Sequence, residues 1–390
     1  MRADFISDGS KRVRLSCLEP GARLSTSQSF NLETLQMVLT IKGGPLEEAA
    51  PSLSTLYLHH KYPGLKEHSA GLVTEKSQVF GPTSLLYVGQ REFAVTHAHD
   101  TRVQVLGTDD LTTNLVLIVR HTASGAVGLA QFDAVCDEGL ATFVQRLNTL
   151  SYGYEGRLEA HLLGAFSDTK GLGAALISRT LAALHKQRTH LELVTCCVGE
   201  LCTVRRNNQP YPVLYGAGVN VKTGEIFPAQ FTDKGPDMDL RLARILTGKR
   251  ESAAMLDIYA CEREELRIGP FTYEPMRAVD IWLQQADEFI LQNLHLCPEA
   301  AQPSYIPLLR GALKRIKADP YPSVSIFGSN SPRVYRMDEI TGQWVRCSKE
   351  EGWGGAGGVA GSVAQQHSFK QEPIPSWPVP PIPVQSQIYY

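Results

Sequence analysis

The sequence predicts an α+β fold, antiparallel sheets with flanking helices, and two observations predict it. Short apolar runs bounded by Gly, Asn, Ser and Thr recur from about residue 78 onward, and few of the remaining stretches are long enough for helices. At 390 residues and 43% hydrophobic, the chain can also bury a substantial core. Lysine and arginine number 38 against 40 acidic residues. That balance gives no basic surplus for nucleic acid and no polybasic block for a membrane surface.

Residues 1–77 read as an N-terminal segment. Its opening, MRADFISDGSKRVRLSCLEPG, lacks the apolar core of a signal peptide, and no stretch approaches the ~18 apolar residues of a membrane span. The expected location is the cytoplasm, the nucleus or both. From 22 to 76 no period is sustained, which predicts a poorly ordered insertion. The organised domain is expected over 78–345.

SLLYVGQREFAVTH (84–97) predicts a strand, a tight turn at glycine and a second strand, and VQVLGT (103–108) adds a third. NLVLIVRH (114–121) and AVGLAQF (126–132) are two more around the turn TASG. RLEAHLLGAF (157–166) is a strand, after which Ser167-Asp168-Thr169 supplies capping residues for a helix over about 169–187. LELVTCCVG (191–199), YPVLYGAGVNV (211–221) and GEIFPAQFT (224–232) are strands, the last two joined through Lys222-Thr223-Gly224. DLRLARILTG (239–248) is a helix closed by Gly248. AAMLDIYA and EELRIGPFTY add strands, and 279–294 and 305–317 add helical segments. The tail over 353–390 is Gly-rich, then Pro-rich, and is expected to be disordered; its PVPPIP run is a candidate SH3 or WW ligand.

The stretch LGTDDLTTNLVLIVRHT (106–122) carries the chemical question. If the turn centres on Ala123-Ser124, Asn114 lies opposite Asp133 and Gln131 is its diagonal neighbour on the same face, with Cα atoms about 7 to 8 Å apart. A 17-residue spacing is one by which a hairpin can join a nucleophile to its base. His121 cannot serve Asn114: seven residues at about 3.3 Å put it roughly 23 Å away, on the opposite face. With Arg120 it is expected to end the strand. The eight cysteines are scattered. Cys197 and Cys202 lack a second pair at zinc spacing, so free thiols and no metal are expected.

Gly107-Thr108-Asp109-Asp110-Leu111-Thr112-Thr113-Asn114, with Val119-Arg120-His121-Thr122, resembles the signature of protein N-terminal asparagine amidohydrolases. The likeness continues through LLYVGQREFAV, LEAHLLGAFSD, YPVLYGAGVNVKTGEIFPAQFTDKGP and LRIGPFTYEP, in the same order over most of 78–345. The resemblance implies a deamidase-like sandwich of the Cys-His kind and no cofactor. It also implies hydrolysis of the side-chain amide of an N-terminal asparagine to aspartate and ammonia, feeding the N-degron branch of ubiquitin-dependent turnover. The family uses a cysteine nucleophile at the position of Asn114 and has a histidine at the position of Gln131. A carboxamide supplies neither thiolate nor base, so the family's covalent chemistry has lost both partners here.

Three readings follow. The chain is a pseudoenzyme that still binds proteins or peptides with N-terminal Asn, or an amidase with a rearranged site, or a scaffold that recruits partners through its tail. The rearranged site would need Cys136, Cys196, Cys197 or Cys202 as a new nucleophile; each also reads as a buried or incidental thiol. Ser167 matches a family block, but helix capping accounts for it. For substrate binding, Asp109, Asp110 or Asp257 is expected to hold the peptide ammonium, with Thr112 and Thr113 bonding the side-chain amide. Asp109 and Asp110 suit a turn cap equally well.

Overall fold

The computed structural model describes residues 39–46, 55–248 and 254–347. In chain order they form β1 (Leu39–Ile41), β2 (Gly44–Pro45), α1 (Thr55–Lys61), α2 (Pro63–Thr74), β3 (Gln78–Phe80) and β4 (Leu85–Tyr87). Next come β5 (Glu92–Thr96), β6 (Val105–Asp109), β7 (Leu115–His121), β8 (Val127–Phe132), α3 (Asp137–Leu150) and β9 (Leu158–Phe166). The middle of the chain adds α4 (Leu172–His185), β10 (Leu191–Gly199), β11 (Thr203–Arg206), β12 (Gln209–Pro212), β13 (Gly216–Asn220), β14 (Ile226–Phe231) and α5 (Met238–Thr247). The last part holds β15 (Leu256–Asp257), β16 (Tyr259–Ala260), β17 (Glu265–Ile268), α6 (Val279–Gln284), α7 (Asp287–Leu294) and α8 (Tyr305–Ala318). It closes with α9 (Pro322–Ser325), β18 (Arg333–Met337) and β19 (Trp344–Arg346).

The fold is α+β. Its largest sheet runs β15-β5-β8-β7-β9-β10-β1-β2, and a second runs β3-β14-β13-β6-β4. Antiparallel pairings predominate, as hairpin connections require. The crossover through α4 instead makes β9 and β10 parallel, because a strand that returns by way of a helix runs in the same direction as its partner. The large sheet separates two cores. Leu115, Leu117, Val119, Ala130 and Phe132 face α3 and α4, while Val116, Ile118 and Leu129 face the other way, onto Leu106, Ala217 and Val219 of the second sheet. This alternation by one residue is the period of an extended strand. Residues 114, 116 and 131 thereby fall between the sheets.

Several expectations need correction. Within 22–76, expected to be a poorly ordered insertion, β1 pairs with β10, and α1 and α2 bury Leu58 and Leu65. α2 opens on Pro63, packs on β10, and its Ser69 carbonyl lies 3.9 Å from Cys197 Sγ. Its sequence is weakly patterned because tertiary packing, not propensity, holds such a helix. The strand-turn-strand at 84–97 is present, but β4 and β5 pair in different sheets. Helix 279–294 breaks at Gln285-Ala286. The helix cap is Asp168, whose carboxylate accepts from Lys170 N, Leu172 N and Gly173 N at 2.8, 3.1 and 2.7 Å. Ser167 instead donates its backbone N–H to Thr203 Oγ1. The tail over 353–390 and most of 1–77 lie outside the described residues. Among the described residues no helix is long and apolar enough to cross a membrane.

Candidate functional site

β7 and β8 pair with Leu115 against Phe132 and Val116 against Gln131, so the next position sets Asn114 opposite Asp133. The expected register is the observed one, and the turn fixes it: His121 Nδ1 accepts from Ser124 N and contacts Ser124 Oγ, both at 3.0 Å. His121 thus closes the far end of the hairpin. Residue 114 is held through its backbone. Its carbonyl accepts from Ala165 N at 2.7 Å, and the Thr112 carbonyl accepts from Phe166 N at 3.2 Å. Gly164 makes this approach possible. Its φ is +96°, and a Cβ there would sit 2.7 Å from the Asn114 carbonyl oxygen.

Gln131 is 3% exposed and both ends of its carboxamide are occupied. Oε1 accepts from Thr108 Oγ1 at 2.9 Å, and Nε2 donates to the Asp109 carbonyl at 3.3 Å. Since Gln131 is on β8 and Thr108 on β6, the side chain ties one sheet to the other. Asn114 is 9% exposed, and its carboxamide makes no hydrogen bond among the described residues.

The acidic pair before β7 is not free. Asp109 accepts from Tyr87 OH at 2.8 Å and from Phe231 N at 3.1 Å, and Lys234 Nζ lies 2.6 Å from its Oδ1. Lys234 also pairs with Asp110 Oδ2, while Asp110 Oδ1 is buried without a partner. Thr113 Oγ1 in the same turn is likewise buried without a partner. Burial pushes the Asp110 carboxyl up despite the Lys234 ammonium beside it. Burial works against the Lys234 charge, but Asp110 and Asp109 outweigh it and leave that pKa above its ordinary value. Burial, then Asp109, pushes the Tyr87 hydroxyl well up.

Two buried ion pairs frame the turn. Arg91 holds Asp133 through two hydrogen bonds, at 2.7 and 3.0 Å, and Arg241 of α5 grips Glu92 while donating to the Tyr87 carbonyl at 2.9 Å. Tyr305 of α8 completes the surroundings: burial raises its hydroxyl pKa, and the Asp110 and Asp133 carboxylates add to the effect. The His295 ring meets that of Tyr305 edge-on at 5.1 Å.

The structure therefore brings Asp109, Asp110, Thr112, Thr113, Asn114 and Gln131 together, but not Asp257. Asp257 pairs with Phe93 on the α3 side of the large sheet and is exposed, with Arg146 at 3.1 Å. Strand parity puts it on the wrong face. The candidate thiols are also placed elsewhere. Cys136 caps α3, Cys196 faces the α3 and α4 core, and Cys197 and Cys202 lie with sulfurs 3.4 Å apart. Burial raises the Cys196 pKa to about 12. Among the described residues no thiol hydrogen-bonds a histidine ring, and no group of three or more His, Cys, Asp or Glu is placed to hold a metal. Sequence reasoning missed Tyr87, Lys234, Arg91 and Tyr305. Tyr87 and Lys234 stand inside LLYVGQREF and FTDKGP, where their chemistry was visible but their partners were not.

The family described as protein N-terminal asparagine amidohydrolase matches residues 75–346. The protein N-terminal asparagine amidohydrolase of Sus scrofa is 39% identical over 289 residues, 74% of this chain and 91% of that protein. The protein of the same name from Homo sapiens is 38% identical over 289 residues, 74% of this chain and 92% of its own length. Its namesake from Arabidopsis thaliana is 27% identical over 353 residues, 83% of this chain and 97% of its own.

Proposed function

Because the chain belongs to the protein N-terminal asparagine amidohydrolase family, we propose that it holds proteins and peptides that begin with asparagine without hydrolysing the side-chain amide. The observation that carries this reading is the pair of carboxamides at 114 and 131. Hydrolysis by way of an acyl-enzyme needs a thiolate to attack the amide carbon and a base to take the thiol proton. A carboxamide is a poor nucleophile and is not basic near neutral pH. Gln131 is further committed at both ends, to Thr108 and to the Asp109 carbonyl. What supports a retained recognition role is the turn itself, with polar groups of Asp110 and Thr113 still buried and unpartnered beside residue 114. No cofactor enters this reading. In the cytoplasm or nucleus such a protein would keep an N-terminal asparagine from conversion to aspartate and so act on N-degron, ubiquitin-dependent turnover.

The test is ammonia release and a mass gain of about 1 Da on an Asn-initiated peptide, run with the chain as it stands and with Asn114→Cys combined with Gln131→His. The unaltered chain is expected to be silent and the double variant to turn over. Turnover by the unaltered chain would overturn the reading and send the search for a nucleophile to the remaining thiols. The scaffold alternative rests on PVPPIP at 378–383, an SH3 or WW ligand sequence outside the described residues. Loss of partner capture on deleting 353–390 would favour it.

A further inference from the structure

Resting on that reading, we propose that Asp110 Oδ1 is the acceptor for the peptide's free α-ammonium, and that the same carboxylate makes the site reject N-terminal aspartate. The argument is one of unspent charge. Asp109 and Asp110 share a single buried cation, Lys234, which leaves one negative charge in the turn. Of the neighbouring cations, Arg91 is taken by Asp133 and Arg241 by Glu92, and Arg244 donates to the Ala254 and Arg91 carbonyls, not to Asp109 or Asp110. Asp109 has hydrogen-bonding partners on both oxygens. Asp110 has Lys234 on Oδ2 and, among the described residues, no hydrogen-bond partner on Oδ1, and that oxygen is buried. A buried, unpartnered carboxylate oxygen is costly, and a cation that pairs with it recovers the cost.

A second observation in the same turn also points to a ligand. Thr113 is 2% exposed and its hydroxyl has no partner, although hydroxyls this deeply buried are nearly always bonded. The carboxamide of Asn114 is unpaired as well among the described residues. The turn thus offers one anionic acceptor and two neutral groups that donate or accept. These complement one ammonium and one neutral carboxamide, the two polar ends of an N-terminal asparagine. An aspartate in the same place would add a second anion beside Asp110, with Lys234 already engaged by two carboxylates. The site then discriminates between the residue its relatives are named for and that residue's deamidated form.

The experiment is calorimetric titration of the full chain with four peptides of identical body: Asn-initiated, N-acetyl-Asn-initiated, Asp-initiated and Ala-initiated. Acetylation and the Asn-to-Asp change are each expected to weaken binding on the order of tenfold to a hundredfold. In Asp110→Asn the two penalties should collapse together. Unweakened binding of the acetylated peptide by the unaltered chain would overturn the proposal without any variant, and so would an acetylation penalty that survives in a folded Asp110→Asn. If the Ala-initiated peptide binds as tightly as the Asn-initiated one while acetylation still abolishes binding, the ammonium site stands and the asparagine reading falls. Binding of none of the four overturns both.

Discussion

At the scale of single residues, the site is a backbone construction before it is a side-chain one. Residue 114 is placed by its own carbonyl, which reaches Ala165 N across a strand end where Gly164 and Ala165 both have positive φ. Gly164→Ala would introduce a methyl 2.7 Å from that carbonyl, which as backbone cannot swing aside, at a φ that side chains rarely adopt. A loss of at least about 2 kcal/mol is expected in urea melts, with turnover also lost when the change is combined with Asn114→Cys and Gln131→His. An unchanged midpoint would show that the strand end yields. The sequence made the partner of Asn114 legible, because a four-residue turn fixes register and register fixes facing pairs. It did not make Lys234 legible as the ion that occupies Asp109 and Asp110, since the two parts meet only through the pairing of β6 with β13 and β13 with β14. Asp257 failed for a related reason: its face depends on pairing with β5, which nothing local specifies.

At the scale of elements, α5 is fastened to the large sheet by charge. Arg241 is 3% exposed, pairs with Glu92 at the start of β5 and donates to the Tyr87 carbonyl at the end of β4. Arg241→Ala leaves Glu92 buried and unpaired, so a loss of about 3 to 5 kcal/mol is expected. Arg157→Ala is the contrast. Its pairs with Glu159 and Glu192 lie at the surface, with the arginine side chain 56% exposed, and removing them should move stability by no more than about 0.5 kcal/mol. Chemical denaturation of both variants distinguishes the two kinds of ion pair; equal effects would refute the argument from burial. β9 and α4 were readable because one face of each is apolar, and β7 because its apolar run is unbroken and buried on both faces. α1 and α2 were not, because their histidines and glycines blur the pattern and their place is decided by the sheet they cover. The gap between α6 and α7 escaped for the opposite reason: the helical pattern runs through Gln285-Ala286, where the backbone does not.

At the scale of the whole molecule, stability should depend on pH through two sequestered histidines. His161, with Nδ1 2.9 Å from Thr195 Oγ1, and His295, against Tyr305, are each pushed down from 6.5 to about 4, by burial first. Their folded-state values lie below the unfolded one. Between pH 6.5 and about 4 the unfolded chain therefore binds protons that the folded chain refuses, and stability falls as pH falls through that window. Each histidine contributes at most about 3 kcal/mol of that loss. Thermal melts at pH 7 and pH 4.5 check it, and His161→Gln should flatten the dependence; a melt that stays constant over the window would show both rings to be solvent-accessible. The α+β class was legible because patterning sets which faces need cover. The layering of the two sheets was not, because no local feature says which apolar faces meet.

The bridge that Gln131 makes between β8 and β6 bears on how this protein could change. Putting a histidine at 131 removes the carboxamide that makes both bonds of that bridge, at a cost of about 1 to 3 kcal/mol, before any thiol at 114 gives the imidazole something to activate. Putting a cysteine at 114 first gives a thiol with no base. Under the proposed reading neither single step is rewarded, so the carboxamide would work as a ratchet: a route from a binding-only site to hydrolysis crosses a valley.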